Sequence, residues 1–341
     1  MSNNSTKILF LTTLISGIMI TISSNSWLGA WMGLEINLLS FIPVMSSNEN
    51  IFTTEASLKY FLVQALASSI LLFLIISKTM LEDMFSLFNS TTSSMIMVTP
   101  LLLKGGAAPF HWWFPSVMEG LNWSNCFILM TLQKIAPLIL ISYSLKLSMF
   151  YTTIIILSVI VGSIGGYNQI SIRKILTYSS INHMGWMLAA MLLGENLWLM
   201  YFLIYSTLTL TIISIISPFN ISFINQTFLF NNDNPIMKFL LFTSLLSLGG
   251  LPPFLGFLPK WLIIQSMITN NMSFIVTIMV ILSLITLYYY LRISYSSFII
   301  LHSEPSWNIQ THNNKFMMIT LMLSSLSLLG LIMCSTVIII Y

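Results

Sequence analysis

Long apolar runs recur from one end of the chain to the other. "SFIVTIMVILSLITLYYYL", residues 273–291, is typical. A run of about 18 or more apolar residues crosses the hydrocarbon layer as one helix, and only a helix or a closed barrel satisfies its own backbone in lipid. Barrel strands alternate in polarity over roughly ten residues, whereas these runs are continuous and rich in Leu, Ile and Met. The expectation is an all-α integral membrane protein. The 341 residues are 56% hydrophobic and 6% charged, against about 25% charged in a soluble domain, which excludes a water-soluble globule.

Hydropathy and turn signals mark about eleven spans, near 7–24, 26–45, 55–77, 93–113, 123–144, 150–166, 171–193, 196–216, 237–268, 272–300 and 315–340. The opening stretch, "MSNNSTKILFLTTLISGIMITISS", has neither an Arg-rich amphipathic presequence nor a small-residue cleavage site, so it reads as the first span. Between spans, "SPFNISFINQTFLFNNDNP", residues 217–235, is expected to lay a short amphipathic element on the membrane surface before an Asn-rich turn. Residues 1–341 form a single membrane domain in this reading. Cys126 and Cys334 lie in separate apolar runs, which offers no disulfide framework and no metal motif. A net charge of +3 without a basic cluster gives no sign of nucleic acid.

An odd number of spans places the termini on opposite sides. Lys7, Lys59, Arg173, Lys174, Lys238, Arg292 and Lys315 then fall on the N-terminal side, against Lys78 and Lys146 on the other. The N-terminus is thus expected in the positive-inside compartment.

Three of the twelve basic residues remain, Lys104, Lys134 and Lys260, and they fall inside spans together with Glu35. An ionisable group at mid-membrane costs about 2.5 to 3.5 kcal/mol on insertion scales, so such groups face a protein or water-lined interior. Lys104 lies among Pro100, Gly105, Gly106 and Pro109; Lys260 follows Gly249, Gly250, Pro252, Pro253, Gly256 and Pro259. Broken backbone at membrane depth is tolerated only where protein buries it or a wet cavity accepts it. Counting helices 1–5 (about 7–144) and 6–10 (about 150–300) as two blocks, with 315–340 as a C-terminal helix, puts each interrupted segment fourth in its block. Five spans per block make the repeat inverted, and matched interrupted helices point to a transport site.

Structural roles compete with these readings. A buried lysine or Glu35 also serves as a hydrogen-bonding tie between helices. His183, beside Ser179, Ser180 and Asn182, is either a relay on a polar path or a packing histidine. His111, after Pro109, reads as packing near the helix break, and Arg173 with Lys174 as headgroup anchors. Glu49, Glu55, Glu82, Asp83, Glu119, Glu195, Asp233 and Glu304 fall at or near expected loops, where solvation explains them.

With these residues in view, the chain resembles the NADH dehydrogenase subunit 2 family of animal mitochondria, a membrane-arm subunit of respiratory complex I. The resemblance runs end to end and is carried by "LLLKGGAAPFHWWFPSVMEGL" (101–121), "TLQKIAPL" (131–138), "SIRKILTYSSINHMGWM" (171–187) and "SLGGLPPFLGFLPKW" (247–261). It implies two inverted five-helix repeats akin to subunits of sodium–proton antiporters, in the mitochondrial inner membrane with the N-terminus in the matrix. The family's charge-pair glutamate falls on Glu35 and its partner lysine on Lys104. The central connecting lysine falls on Lys134 and the lysine of the second broken helix on Lys260. NADH, FMN, iron–sulfur clusters and ubiquinone are then expected in partner subunits and none on this chain. The implied partners are other membrane-arm subunits, including neighbouring antiporter-like ones, with lipids such as cardiolipin as candidate ligands.

The expected chemistry is proton translocation coupled to quinone reduction. A carboxylate about 4 Å from an ammonium, at an effective dielectric near 20, stabilises the charge by about 4 kcal/mol. Moving one charge through 100 mV costs about 2.3 kcal/mol, so pair formation and breakage is adequate in scale. A free-standing cation–proton antiporter and an assembly scaffold remain the alternatives.

Overall fold

The computed structural model describes residues 4–47, 50–80, 90–145, 148–229, 235–295, 320–328 and 330. Within them the chain is helical almost throughout. The helices are α1 (Asn4–Ser23), α2 (Trp27–Met45), α3 (Ile51–Met80), α4 (Ser90–Gly105), α5 (Trp113–Gly120), α6 (Trp123–Met130), α7 (Leu132–Ser144), α8 (Met149–Tyr167), α9 (Ile172–Leu193), α10 (Glu195–Ile216), α11 (Ile224–Leu229), α12 (Pro235–Gly249), α13 (Phe257–Thr269) and α14 (Ser273–Tyr295). Residues 320–328 are also helical. Lys146, Lys315, Glu49, Glu82, Asp83, Asp233, Glu304, Cys334 and most of the eleventh expected span lie outside the described residues.

Seven helical segments among the described residues are long and apolar enough to cross a membrane. The other crossings expected before residue 300 are of two kinds. Helix α9 is long enough but carries Arg173, Lys174, His183 and several hydroxyls. The ninth expected span is divided into α12 and α13, and the fourth, expected over 93–113, ends its helix at Gly105 and resumes as α5 only at Trp113, beyond which the second half runs to Gly120. Span 123–144 is interrupted at Thr131 (φ −115°, ψ −75°), whose hydroxyl donates to the Phe127 carbonyl at 2.7 Å. The expected surface element is a 3₁₀ turn, Ser217–Phe219, followed by the short α11. Gln226 accepts from the Phe223 amide at 3.2 Å, the reciprocal half of a capping box. A single antiparallel bridge, Ser171 to Phe223, ties this connection to the start of α9.

The many Ser and Thr residues inside apolar helices fit because they bond within their own helix. Thr21 donates to Ile18 at 2.6 Å, Ser158 to Ile155 at 2.8 Å and Ser244 to Leu241 at 2.8 Å. Such i−3 bonds satisfy the hydroxyl without asking the neighbouring helix for a partner.

Two compact units divide the chain, Met1–Ile154 and Ile155–Tyr341. In the first, α3 packs on α2, α4 and α5, and α7 packs on α4. In the second, α10 packs on α9, α12 and α13, and α14 packs on α12 and α13. Helices α1 and α2 cross closely through Gly17 and Gly33: a Cβ on Gly17 would lie 2.9 Å from the Asn37 nitrogen, and one on Gly33 2.8 Å from the Thr21 nitrogen.

That crossing predicts that Gly33→Val destabilises the first unit by about 1–3 kcal/mol, the usual cost of overpacking. The thermal midpoint of the detergent-solubilised protein should fall accordingly. Met19→Val, at a position 62% exposed, should stay within about 0.5 kcal/mol.

Candidate functional site

The two divided spans stop in the same way. In each, a glycine in the left-handed region follows the last helical turn: Gly106 (φ 72°) after α4 and Gly250 (φ 84°) after α12. The Gly106 amide donates to the Leu103 carbonyl at 3.2 Å and the Ala107 amide to Leu102 at 3.1 Å. The Gly250 amide donates to Ser247 at 3.0 Å and the Leu251 amide to Leu246 at 3.4 Å. This pair of bonds is the Schellman motif, which retires carbonyls that a helix end leaves unpaired. The segments align residue for residue, "GGAAPFHWWFPS" at 105–116 with "GGLPPFLGFLPK" at 249–260.

One side chain after each break then reaches back to the end of the first half-helix. Trp113 Nε1 donates to the Leu103 carbonyl at 3.0 Å, and Lys260 Nζ donates to the Gly249 carbonyl at 2.8 Å. The lysines occupy different positions in the aligned segments, since Lys260 matches Ser116 and Lys104 matches Leu248. Both nevertheless serve the C-terminal end of the first half-helix. Lys104 stands in the last turn of α4, and Lys260 arrives from α13. That end carries the negative pole of the helix dipole and favours a cation.

In the first unit, a cavity of about 20 Å³ is lined by Lys104 and Lys134 together. This is room for about one water molecule. The remaining polar lining comes from Asn37, Tyr60, Gln64 and Gln133. Tyr60 donates its hydroxyl to Gln133 Oε1 at 3.3 Å, and Gln133 Nε2 donates to Asn37 Oδ1 at 3.0 Å. Gln64 donates to the Lys104 carbonyl at 3.5 Å. The Lys104 ammonium is buried and has no hydrogen-bond partner among the described residues. Lys134, also buried, lies over the Phe114 ring at 5.0 Å from its centre. One turn below Lys134, Pro137 lacks the amide that would bond the Gln133 carbonyl, so that backbone oxygen loses its helical donor.

Glu35 sits differently from the pair expected of it. Leu34, Asn37 and Leu38 line the cavity, and Glu35 is rotated from them by about 100° per residue around α2. It is half-buried and interacts electrostatically with Lys104, but the two form no contact ion pair. A charge pair at about 4 Å would therefore require movement of one side chain.

In the second unit, Lys260 is buried, 5.9 Å from the centre of the Trp186 ring. His183, on the same helix as Trp186, bonds the Tyr201 hydroxyl through Nδ1 at 2.7 Å and lies 5.0 Å from the Tyr205 ring. Tyr205 and Tyr290 present their hydroxyls to Ser180 and Ser179. His183 is thus both packed and hydrogen-bonded inside a cluster of hydroxyls. His111 packs at the first break, stacked on Trp112 at 4.9 Å with Nδ1 3.2 Å from the Pro109 carbonyl. The Cys126 thiol is buried and points to the Met118 and Leu121 carbonyls at 3.7 Å each.

The structure therefore brings Lys104 and Lys134 to one cavity and sets Lys260 and His183 within the second unit, Lys260 being held at the break. Asn37, Tyr60, Gln133 and Trp113 were missed from sequence. The signal available for them was polarity at mid-span, in Gln133 beside Lys134 and Asn37 two residues after Glu35.

The breaks predict unequal effects of the same small change. Gly106→Ala should cost about 1–2 kcal/mol, the strain of a left-handed residue with a Cβ, because the nearest atom is 3.5 Å away. Gly250→Ala adds a Cβ 3.0 Å from Lys260 Nζ, and should also displace that amine from Gly249. Thermal midpoints of the purified protein should show the larger defect for Gly250→Ala.

Comparison with known proteins agrees with this architecture. Residues 24–286 match the family described as NADH:quinone oxidoreductase/Mrp antiporter, TM. NADH-ubiquinone oxidoreductase chain 2 of Anopheles gambiae is 56% identical, over 99% of this chain and 98% of its own length. The Locusta migratoria protein of the same name is 48% identical over 98% of each. Among solved structures, a chain of respiratory complex I from Thermus thermophilus aligns with 97% of this chain and 79% of its own at a TM-score of 0.80 and 22% identity. A chain of the Mrp complex from Dietzia aligns with 87% of this chain and 61% of its own at 0.72 and 17% identity. The two structures show the shared fold, and the sequence relatives show that this chain belongs to the NADH-ubiquinone oxidoreductase chain 2 family.

Proposed function

We propose that the chain is a proton-translocating membrane subunit of an NADH:ubiquinone oxidoreductase of the respiratory complex I type. The observation that carries the site assignment is the cavity lined jointly by Lys104 and Lys134. Two amines bordering space for one water can exchange a proton through it, since the water both accepts and donates. Glu35 biases Lys104 electrostatically, and a change in its charge or position resets the proton affinity of that lysine. Lys260, held at the second break, is a further station, and His183 with its bonded Tyr201 is a branch of the polar interior of the second unit.

Electron transfer belongs to partner subunits in this reading. The sequence has two cysteines and no GxGxxG segment, so NADH, FMN, iron–sulfur clusters and ubiquinone are assigned elsewhere in the complex. The relatives' printed name supports the assembly. The excess of basic residues on the N-terminal side supports an N-terminus in the mitochondrial matrix. Lipids such as cardiolipin are proposed as ligands of the exposed apolar faces.

A substitution by arginine separates transport from scaffolding. Lys134→Arg keeps a positive charge, but guanidinium does not release its proton at physiological pH. The assembled complex with Lys134→Arg should retain NADH oxidation with artificial acceptors and lose the proton yield that Lys134→Gln loses. A full proton yield per electron pair in Lys134→Arg would show that the charge only supports assembly.

A further inference from the structure

The consecutive residues Trp113 and Phe114 open the second half of the first divided span, and each serves a different lysine. Trp113 donates its indole N–H to the Leu103 carbonyl at 3.0 Å, one residue before Lys104. Phe114 turns its ring face toward Lys134, with the ammonium 5.0 Å from the ring centre. The two rings lie 5.5 Å apart, Tyr60 lies 5.8 Å from Trp113, and all three line the cavity shared by the lysines. The matching position after the second break holds Phe257 where Trp113 stands, and there Lys260 makes the bond back to the first half-helix.

We infer that Trp113 and Phe114 are a positioning dyad that couples Lys104 to Lys134. This inference rests on the proton-translocation reading. The attraction between a ring face and a cation exists only while the lysine is charged. Protonation of Lys134 therefore draws on Phe114, and the peptide bond between Phe114 and Trp113 carries that pull to the indole holding the end of α4. In the second unit the bond back to the first half-helix comes from the titratable residue itself. In the first unit a neutral indole makes it, and both lysines line the cavity.

Five variants test the dyad in the assembled complex, reconstituted in vesicles. Protons translocated per electron pair are measured beside quinone reduction, with NADH oxidation by an artificial acceptor as the control for assembly. Loss of the ring face changes the ratio of charged to neutral lysine by roughly twofold to thirtyfold. Phe114→Leu should therefore lose part of the proton yield that Lys134→Gln loses, and Phe114→Tyr should restore it. The double variant Phe114→Leu with Lys134→Gln should be no worse than Lys134→Gln alone, because the ring then has no cation to hold. Trp113→Phe, which deletes the N–H and keeps a ring, should also lower the proton yield, and it carries the test if Phe114→Leu does not assemble. Full proton yield in Phe114→Leu or in Trp113→Phe overturns the dyad, and so does a loss in Phe114→Leu that adds to that of Lys134→Gln. A normal yield in Lys134→Gln overturns the translocation reading and the dyad with it, whereas a loss there with a normal Phe114→Leu overturns the dyad alone.

Discussion

Every backbone N–H and C=O inside hydrocarbon has to find a partner within the protein, since an unpaired one costs several kcal/mol. That constraint decides where this chain can stop a helix in mid-membrane. At Gly106 and Gly250, unlike at Thr131, a left-handed glycine ends the helix, and both times the freed carbonyls are taken by the amides of the glycine and its successor. Side chains complete the ends: Trp113 and Gln64 in the first unit, Lys260 in the second. Without these donors the breaks would be too costly to keep, and Lys104 would be one more charge in an unbroken helix.

The breaks in turn give the lysines their surroundings. A helix end presents a negative pole without adding a formal charge. Lys260 bonds such a pole from across the gap, and Lys104 stands in the last turn of its own half-helix. Around the first break the remaining polar groups are neutral and bonded to one another, Tyr60 to Gln133 to Asn37. Fixed neutral dipoles hold a water without pinning a proton as a carboxylate would. Glu35 stays off the cavity wall, and from there its charge acts on Lys104. The second unit relies instead on hydroxyls, those of Tyr201, Tyr205 and Tyr290 gathered near His183, Ser179 and Ser180.

The charges and breakers were legible in sequence because each is expensive where it stands. Lys104, Lys134, Lys260 and Glu35 interrupt apolar runs, and Gly and Pro cluster around two of the lysines. Their partners were less visible. Asn37, Tyr60 and Gln133 look no different from the Ser and Thr residues that bond their own helices, and only packing brings the three together. Trp113 reads as an interfacial aromatic until its N–H is seen on Leu103. The direction of Glu35 depends on how α2 is turned, which hydropathy does not encode. The interruption at Thr131 escapes notice because no Gly or Pro announces it.

The most direct test of the account is a density map of the assembled complex at a resolution that shows ordered water. An ordered water in the cavity between Lys104 and Lys134, within hydrogen-bond distance of at least one ammonium and held by the Gln133 or Asn37 side chain, is the predicted result. A cavity that is dry, or closed by Phe114 so that no solvent separates the two lysines, would contradict it.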